Sequence, residues 1–528
     1  MPSQSMQETR PRLHVQWLTP SMDFGRAKLT LHASGLCSEC GASMSLALDE
    51  LAPGETTACA GCGQSLEPSK TDIQRLGKSL VKKYMDSLER HIAPWPEHAA
   101  SQEGKHSRFD CYSTMNEYLK DVRLDVRAQD ELSLLMALAL ELRPWLLVRF
   151  GAMQSSYFGH MSMNTENYLS RRDVGIGFTD SYDIFGYGQF VINRQLKRKW
   201  DEVLNTSQTA TVFASMMPWD SPHSITKEVF ANQGADSAQI WRKTEPHLCF
   251  SEEELRYARS ELERMGIQPE SEYVCIGERT SAYRKTILNA NKFKQTSNSR
   301  DAGFDQFSLA AMALADRGYF VLRMGAASDL DLCSSHPRII DYASKYRSEF
   351  MDLYLGATCR FFAAPPSGVT SIASIFRRPI VFSNYFYTKF TQHWLENILF
   401  LLPHLYNKNT QTHLSLAEYA LLDQPPGDRW ENYGVTFVSN TPEEMLHACL
   451  EMDDRLSGVW TETEEDRLRQ TRVRQQLESS VRGKKSPNGI PFWESGTPMR
   501  SLVGSRFLKD NPALFGPGAM TTSSFEHN

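Results

Sequence analysis

The chain has 528 residues, of which 41% are hydrophobic, enough for two α/β cores and a small additional module. Its net charge of −6 and pI near 6.2 offer no general attraction for nucleic acid or anionic lipid, so we expect no nucleic-acid partner. The N-terminus lacks a secretory signal pattern, and no run approaches the roughly 18 apolar residues that a spanning helix needs. We therefore expect no transmembrane segment.

Four of the ten cysteines form two CxxC pairs, each followed by glycine: Cys37, Cys40, Cys59 and Cys62. Thiolates at this spacing can meet tetrahedrally on one Zn²⁺ ion. Such a ribbon could recognise nucleic acid or a partner protein, but the segment between the pairs has no basic or aromatic cluster. Residues 1–70 are therefore predicted to be an N-terminal segment with a structural zinc ribbon. The other cysteines are scattered, which favours a reducing, cytoplasmic compartment.

Residues 71–250 alternate helical and strand-like patterns and are predicted to form a first Rossmann-like domain. The strand PWLLVRFG is followed by a short loop and then a helix that begins near Gly159 and His160. A glycine there permits close backbone approach, and the first helical N–H groups can bind a phosphate or a sugar hydroxyl. No GxGxxG or GxxxxGK[ST] pattern occurs, which argues against simple NAD-dependent and P-loop readings.

Residues 251–460 are predicted to form a second Rossmann-like domain, opening with a helix whose Ser251 and Glu254 fit a capping box. Arg279 stands at the end of the next strand, followed by Tyr283, several lysines and Arg300. Cations gathered after one strand suit a diphosphate, which guanidinium groups bind in bidentate fashion. A solvated basic loop is the alternative, above all for the lysines.

Further along this domain, Arg323 ends a strand and Asp352 lies near a helix start, where it could be a helix charge or a ribose ligand. Ser367 and Gly368 place a hydroxyl and unobstructed amides before another helix, which favours an anion site. An ordinary helix cap explains Ser367 alone. Its combination with Arg279 on a neighbouring strand favours a ligand site. Residues 461–528 are predicted to be a C-terminal helix and tail.

From about residue 147 to 508 the chain resembles a bacterial glycosyltransferase family of surface-polysaccharide loci, which is distantly similar to GT-B fucosyltransferase-like enzymes. The resemblance covers the later part of the chain and excludes the cysteine pairs. It rests on the order and spacing of these segments: FGHMSMNTENYL, VINRQLKRKW, the loop with Arg279 and Tyr283, Ser299–Asp301, RGYFVLRMG, IDYASKYRSEFMDLYL, CRFF followed by PPSG, and SRFLKDN.

The resemblance implies an α/β fold of two Rossmann-like domains in the GT-B arrangement. Residues 71–250 would bind the acceptor, residues 251–460 the nucleotide-sugar donor, and 461–528 would pack back on the first domain. It implies that Arg279 contacts the diphosphate, and it places the other donor-binding residues nearby: Tyr283, Arg300, Arg323, Ser367 and Gly368. GT-B enzymes generally need no divalent ion, and fixed cations can stabilise the departing diphosphate.

His160 is the leading candidate for the general base, because the unperturbed pKa of histidine suits proton transfer near neutral pH. It could equally cap the helix start. Glu166 and Asp183 are alternative bases. One departure from the family matters here, because relatives commonly carry histidine two residues before Arg279, and this chain has Gly277.

The predicted function is transfer of a sugar from a nucleotide sugar to a glycan or protein acceptor. The alternative is a non-catalytic scaffold that binds nucleotide sugars or glycans and uses its zinc ribbon to recruit a partner. The loss of the family histidine at Gly277 is the feature that favours this alternative.

Overall fold

The computed structural model describes residues 11–23, 28–90, 126–177, 180–188, 190–218, 220–225, 228–229, 236, 239–279, 301–325, 336–385, 395–421, 430–481 and 499–516. Within these ranges the chain forms a mixed α/β fold with an N-terminal sheet and two parallel sheets. No helix in the described ranges is long and apolar enough to cross a membrane.

The N-terminal sheet has the strand order β3-β2-β1-β5-β4. Its long hairpin of β1 and β2 is antiparallel, with a bulge between Val15 and Trp17. Gly35 lies opposite this bulge, and a Cβ there would come within 2.1 Å of the His14 carbonyl oxygen, so only glycine fits. The strands are β1 (Arg12–Asp23), β2 (Lys28–Cys37), β3 (Ser43–Ala47), β4 (Thr57–Ala58) and β5 (Ser65–Pro68).

A first parallel sheet follows, with the order β6-β7-β8 and an additional parallel bridge from Phe150 to Ser224. Its strands are β6 (Leu147–Met153), β7 (Ser181–Tyr187) and β8 (Asn205–Thr206). The helices of this part are α1 (Lys70–Glu89), α2 (Val126–Leu142), α3 (Phe158–Asp173), α4 (Arg194–Val203) and α5 (Gln208–Met216). We refer to everything up to α5 as the first unit.

The N-terminal sheet and the first parallel sheet share one hydrophobic core. Leu13 and Leu31 of the hairpin belong to the same buried cluster as Val148 and Phe150 of β6. Cys37 and Cys59 are also members of this cluster. The cysteine knuckles are therefore built into the first unit, and the predicted boundary at residue 70 falls within a continuous core.

The second parallel sheet has the order β11-β10-β9-β12-β13-β14-β17, and every neighbouring pair runs parallel. Its strands are β9 (Tyr273–Gly277), β10 (Phe320–Met324), β11 (Ile339–Ile340), β12 (Phe362–Ala364), β13 (Ile380–Phe382), β14 (Ile398–Phe400) and β17 (Leu502–Val503). A separate antiparallel pair is formed by β15 (His404–Asn407) and β16 (Val435–Val438).

The helices of this second unit surround the sheet. They are α6 (Glu252–Arg264), α7 (Ser308–Asp316), α8 (Tyr342–Lys345), α9 (Glu349–Thr358), α10 (Thr370–Ile375), α11 (Leu416–Leu421), α12 (Pro442–Leu456), α13 (Glu464–Val481) and α14 (Ser505–Asp510). The capping box of Ser251 and Glu254 at the start of α6 is confirmed. Parallel strands joined by helices place their carboxyl ends at one edge, where ligands usually bind.

The end of the chain adds a strand to the second sheet, because β17 pairs with β14 at its edge. Arg500 Nε, just before β17, lies 3.3 Å from Gln239 Oε1, which belongs to the range 71–250, and the packing of residues 461–528 on that domain stays a prediction. Gln470 of α13 donates a hydrogen bond to the Val503 carbonyl oxygen. The described part of this segment thus completes the second unit, because a two-residue strand gains its hydrogen bonds from the exposed edge of β14.

The two units pack directly on each other. The hydrophobic core of the second unit continues into the first through Met161, Leu196 and Trp200. Polar contacts also join them: Lys199 Nζ lies 2.9 Å from Glu254 Oε2, and Arg377 Nη2 lies 2.6 Å from Glu166 Oε1. These contacts hold the carboxyl edges of the two parallel sheets close together.

Candidate functional site

The candidate site lies where the loop after β6 meets the loop after β12. Both loops leave the carboxyl end of a parallel strand, and each leads into a helix, α3 or α10. A Cβ built on Gly368 would lie 3.2 Å from Phe158 Cβ and 3.4 Å from the Gly159 backbone nitrogen. Glycines at both positions thus let the starts of the two helices touch across the junction of the units.

His160 occupies the first turn of α3, next to this contact. Its Nδ1 is buried and has no hydrogen-bond partner among the described residues. Burial lowers the pKa of the imidazole, and the neighbouring Asn164 side chain opposes that shift in part. The ring makes an edge-to-face contact with Tyr157, with 5.8 Å between the ring centroids. His160 is therefore neutral near pH 7 and can accept a proton.

Arg279 joins the second unit to the same place. It follows β9, and its backbone exchanges two 3.0 Å hydrogen bonds with Ala302. Arg279 Nη1 donates to the Pro366 carbonyl oxygen at 3.1 Å, while Nε lies 3.4 Å from Asp301 Oδ1. The guanidinium is thus held against the loop that carries Ser367, with Asp301 on its other side.

Ser367 adds a hydroxyl to this loop. Its carbonyl oxygen accepts a 2.7 Å hydrogen bond from Thr370 Oγ1, which fixes the turn into α10. Its own Oγ is buried, and within the described part of the chain it has no hydrogen-bond partner. A buried hydroxyl without a partner costs roughly 1–3 kcal/mol, so its persistence is typical of a ligand-binding position.

Arg323 was predicted to bind the donor, and in the structure its side chain is paired with a carboxylate of the second unit. Its side chain is 1% exposed, and its Nε and Nη2 bind the two carboxylate oxygens of Asp341 at 3.0 and 2.9 Å. Nη2 also donates to Ser344 Oγ at 2.8 Å. These bonds occupy the guanidinium inside the second unit, and a diphosphate would have to displace Asp341 to reach it. Tyr283 and Arg300, also predicted to bind the donor, lie outside the described residues.

The alternative general bases are occupied in a similar way. Asp183 accepts two hydrogen bonds from Arg149, at 2.7 and 2.6 Å, and further bonds from Arg172 and Tyr168. Glu166 is fully buried between Arg377 and His247. The hydrogen bonds from these cations occupy the carboxylate oxygens that a general base would have to offer to a substrate proton. His160 is the remaining candidate of the three.

Asp352 also proves to be structural. It accepts hydrogen bonds from Tyr342 and Arg347, both at 2.9 Å. Burial raises the pKa of this carboxyl to about 6, opposed by Arg347. Its place in α9, behind a Ser348 cap, puts it among side chains of the second unit. This supports the helix-charge interpretation over a ribose ligand.

Gly277 occupies a position at which the packing leaves no room for a side chain. It ends β9, and a Cβ at this position would lie 2.8 Å from the Phe362 ring and 3.0 Å from Ala364 Cβ. Both neighbours belong to the adjacent strand β12 and are fully buried. Any side chain at residue 277 would require this strand pair to move.

The four grouped cysteines form a second, separate candidate site. Their sulfur atoms all lie within 4.8 Å of one another, with 3.8 Å between Cys37 and Cys62 and 3.6 Å between Cys40 and Cys59. Tetrahedral zinc with bonds of about 2.3 Å places its sulfurs ~3.8 Å apart, whereas a disulfide requires about 2.05 Å. The cluster therefore has the dimensions of a metal site.

The backbone around these cysteines has the form of two tight knuckles. Glu39 N donates to Cys37 Sγ at 3.4 Å, and Gly61 N donates to Cys59 Sγ at 3.3 Å. Each knuckle ends at a glycine with a left-handed backbone, Gly41 at φ +71° and Gly63 at φ +72°. The backbone N–H groups of Cys62 and Gly61 lower the pKa of Cys59 to about 6, and the thiolate is the form that binds metal.

Comparison with known proteins returns no matching family model and no matching curated protein. Solved structures with local likeness include the ADP-heptose lipopolysaccharide heptosyltransferase II of E. coli, with 13% identity, 44% of this chain and 84% of that chain covered, and a TM-score of 0.27. A family 9 glycosyl transferase from Veillonella parvula shows 10% identity, 44% and 79% coverage, and a TM-score of 0.28.

The dodecameric iron-containing heptosyltransferase TibC in complex with ADP-D-β-D-heptose shows 13% identity, 60% and 76% coverage, and a TM-score of 0.30. At such identities and TM-scores these likenesses establish neither a common fold nor a common activity. The structure itself shows an α/β protein with two parallel sheets, in which the loop after β6 contacts the loop after β12.

Proposed function

We propose that the chain is a glycosyltransferase that moves a sugar from a nucleotide-sugar donor to a glycan or protein acceptor. The sequence resemblance of residues 147–508 supplies the reaction class. The observation that carries the proposal is the contact of Gly368 with Phe158 and Gly159, which brings the residue before His160 against the residue after Ser367, while Arg279 Nη1 donates to the Pro366 carbonyl oxygen of the same loop. We propose that the imidazole, the hydroxyl and the guanidinium act on one substrate at this junction.

In this proposal the donor diphosphate lies against Arg279 and the Ser367 hydroxyl. As the bond between the anomeric carbon and the phosphate oxygen breaks, negative charge builds on the departing nucleoside diphosphate. A positioned guanidinium and a hydroxyl stabilise that charge without reorganising. We propose that this leaving-group stabilisation needs no added divalent ion, and transfer that requires Mg²⁺ would contradict this part.

On the other side of the cleft, His160 takes the proton of the acceptor hydroxyl as its oxygen attacks the anomeric carbon. Its lowered pKa keeps the imidazole unprotonated at neutral pH. Gly277 leaves the carboxyl end of β9 without a side chain, so in this proposal the base comes from the first unit. Gly159 and Gly368 have a separate role, because their missing side chains let the two loops approach closely enough for one substrate to contact both.

Donor binding tests this proposal most directly. Thermal shifts with ADP-, GDP-, UDP- and CMP-sugars identify the donor, and Arg279→Ala is then expected to weaken it. Loss of a charged hydrogen bond of about 1.5–3 kcal/mol corresponds to ~10- to 150-fold in affinity. Arg264→Ala is the matched control, since Arg264 ends α6 near the amino end of β9. Equal binding by wild type and Arg279→Ala would refute the diphosphate site.

The non-catalytic scaffold is separated from the enzyme by turnover. A scaffold binds the donor and leaves it intact, whereas a transferase hydrolyses it slowly or transfers its sugar in the presence of cell extract. Release of nucleoside diphosphate, followed by chromatography, distinguishes the two. The packing around Gly277 bears on this choice, because no side chain fits at that position. In an active transferase His160 would have to supply the base instead.

We further propose that the four cysteines hold one structural Zn²⁺ ion and that the protein acts in the reducing cytoplasm. All four positions are cysteine, which leaves no open coordination position for catalysis. Metal analysis is expected to find one zinc per chain in wild type and none in Cys40→Ser. Cys249→Ser changes an exposed cysteine outside the cluster and should keep the metal. A metal-free wild-type protein would refute the site.

A further inference from the structure

Two exposed aromatic side chains lie on neighbouring loops at the carboxyl edge of the first parallel sheet. Tyr157 precedes α3 and is 45% exposed, and Phe190 follows β7 and is 37% exposed. Large aromatic groups usually bury most of their surface, and exposed pairs of them next to a cleft are typical of binding sites. We call Tyr157 and Phe190 the aromatic rim.

The aromatic rim is held together by one buried side chain. Ser155 Oγ donates to the Phe190 carbonyl oxygen at 2.7 Å and accepts from Gly188 N at 2.9 Å. The Ser155 carbonyl oxygen accepts a third bond from Ile192 N at 2.9 Å. Tyr157 is two residues from Ser155, a separation of at most about 7 Å along the chain. The two loops therefore form a fixed structure.

The rim adjoins both the proposed base and a pair of side-chain amides. Tyr157 touches the His160 ring, with centroids 5.8 Å apart and ring planes at 89°. Asn164, one turn further along α3, is 2% exposed and donates to Gln154 Oε1 at 3.5 Å. Its Oδ1 is buried and has no partner within the described ranges. An amide acceptor and an imidazole thus lie beside exposed aromatic surface.

This combination matches the chemistry of a sugar ring. A pyranose has an apolar face of C–H groups that packs on an aromatic ring, and a surrounding belt of hydroxyls that needs hydrogen-bond partners. A peptide acceptor would instead require backbone donors and acceptors along an extended groove or sheet edge. The polar groups identified here are side chains gathered at one point, which suits a compact ring.

We propose that the aromatic rim binds the acceptor as a pyranose ring, so that the acceptor is a carbohydrate rather than a protein side chain. This inference rests on the proposed transferase function. One acceptor hydroxyl oxygen forms the new bond to the anomeric carbon, and its proton passes to the His160 imidazole. The bond from the anomeric carbon to the diphosphate breaks, and its electron pair leaves with the nucleoside diphosphate.

Saturation-transfer NMR tests the rim without needing turnover. The probes are methyl glucopyranoside, methyl galactopyranoside, methyl mannopyranoside and a short peptide containing serine and threonine. Wild type is expected to transfer saturation to the ring C–H protons of at least one glycoside. Tyr157→Ala should weaken the binding of that glycoside about 2- to 10-fold, because the aromatic contact contributes roughly 0.5–1.5 kcal/mol. Tyr157→Phe keeps the ring and should bind the glycoside as wild type does.

Tyr433→Ala is the matched control, since Tyr433 is a similarly exposed tyrosine of the second unit. Absence of glycoside binding to wild type, equal binding by Tyr157→Ala, or preference for the peptide would each overturn the inference. Its failure is distinguishable from failure of the transferase proposal. Donor binding that depends on Arg279, with no glycoside on the rim, rejects only the rim, whereas a protein that binds no nucleotide sugar rejects the transferase.

Discussion

Buried polar groups fall into two kinds in this molecule, and the difference separates stability from function. Arg149 with Asp183 in the first unit, and Arg323 with Asp341 in the second, form closed clusters whose charges neutralise each other in the interior. His160, Asn164 and Ser367 form a cleft cluster, whose members each have a buried polar atom without a partner among the described residues. Both kinds involve buried polar atoms, so burial alone does not distinguish them.

The contrast follows from what burial costs. A buried charge is tolerated only when paired, and removing one partner leaves the other uncompensated. A buried neutral group without a partner is also unfavourable, but less so, and a ligand can supply the missing bond. Closed clusters should therefore control folding, and the cleft cluster should control binding and catalysis. Substitutions in each test this division.

The largest effect is expected for His160→Gln. General-base catalysis contributes about 10²–10⁴-fold, so the turnover number should fall by that factor while donor affinity is unchanged. His14→Gln is the control, because His14 lies in the N-terminal sheet and is largely exposed. Transfer at the wild-type rate in His160→Gln would exclude this residue as the base.

The pH dependence of wild type provides a second reading of the same residue. Burial lowers the pKa of His160 below its ordinary value of about 6.5, so the active, unprotonated form persists to more acidic pH. The rate should fall on the acid side with an apparent pKa below about 6.5. Folding also favours the neutral ring, so this residue costs stability as pH falls below ~6.5 toward the lower pKa of the folded state.

The next effect is expected for Asp183→Asn in a closed cluster. The substitution keeps the shape and removes a charge that, together with Glu228, neutralises Arg149, and it should lower the unfolding free energy of the first unit by about 3–5 kcal/mol. Urea unfolding followed by circular dichroism measures this loss. Lys82→Ala breaks an exposed ion pair with Asp86 and should cost under ~1 kcal/mol. An Asp183→Asn protein as stable as wild type would abolish the distinction between the clusters.

The sequence predicts secondary-structure elements better than it predicts which side chains pair with each other. The predicted strands YVCIG and FVLRM are β9 and β10, and YVCIG is an uninterrupted apolar run of the kind typical of a strand buried on both faces. The long β1–β2 hairpin was not predicted, although Leu29, Leu31 and Ala33 alternate with polar residues as a half-buried strand should.

Arg323 shows why site residues were harder to predict. Arg279 and Arg323 are both arginines at the carboxyl end of parallel strands, so one sequence treats them alike. Their difference is set by Asp341, which the fold brings beside Arg323 through the pairing of β10 with β11. The same holds for Glu166, whose partners Arg377 and His247 are distant in the sequence. Partner identity is a tertiary property.

The smallest effect is expected for Ser367→Ala. This variant tests most directly the division between the closed clusters and the cleft cluster. The hydroxyl has no described partner, so its removal should leave stability unchanged, within about 0.5 kcal/mol. If it binds the donor, affinity should fall by roughly 0.5–1.5 kcal/mol, or ~2- to 10-fold. Calorimetric titration with the identified nucleotide sugar measures this change.

Ser344→Ala is the matched opposite, because its hydroxyl accepts a bond from Arg323 inside a closed cluster. Its loss leaves a buried guanidinium N–H without that acceptor and should lower stability by about 1–3 kcal/mol while donor affinity stays the same. Ser367→Ala should therefore lower donor affinity alone, and Ser344→Ala should lower stability alone. If both variants lose stability and keep their donor affinity, Ser367 belongs with the closed clusters. The donor site then has to be sought elsewhere along the edge of the second sheet.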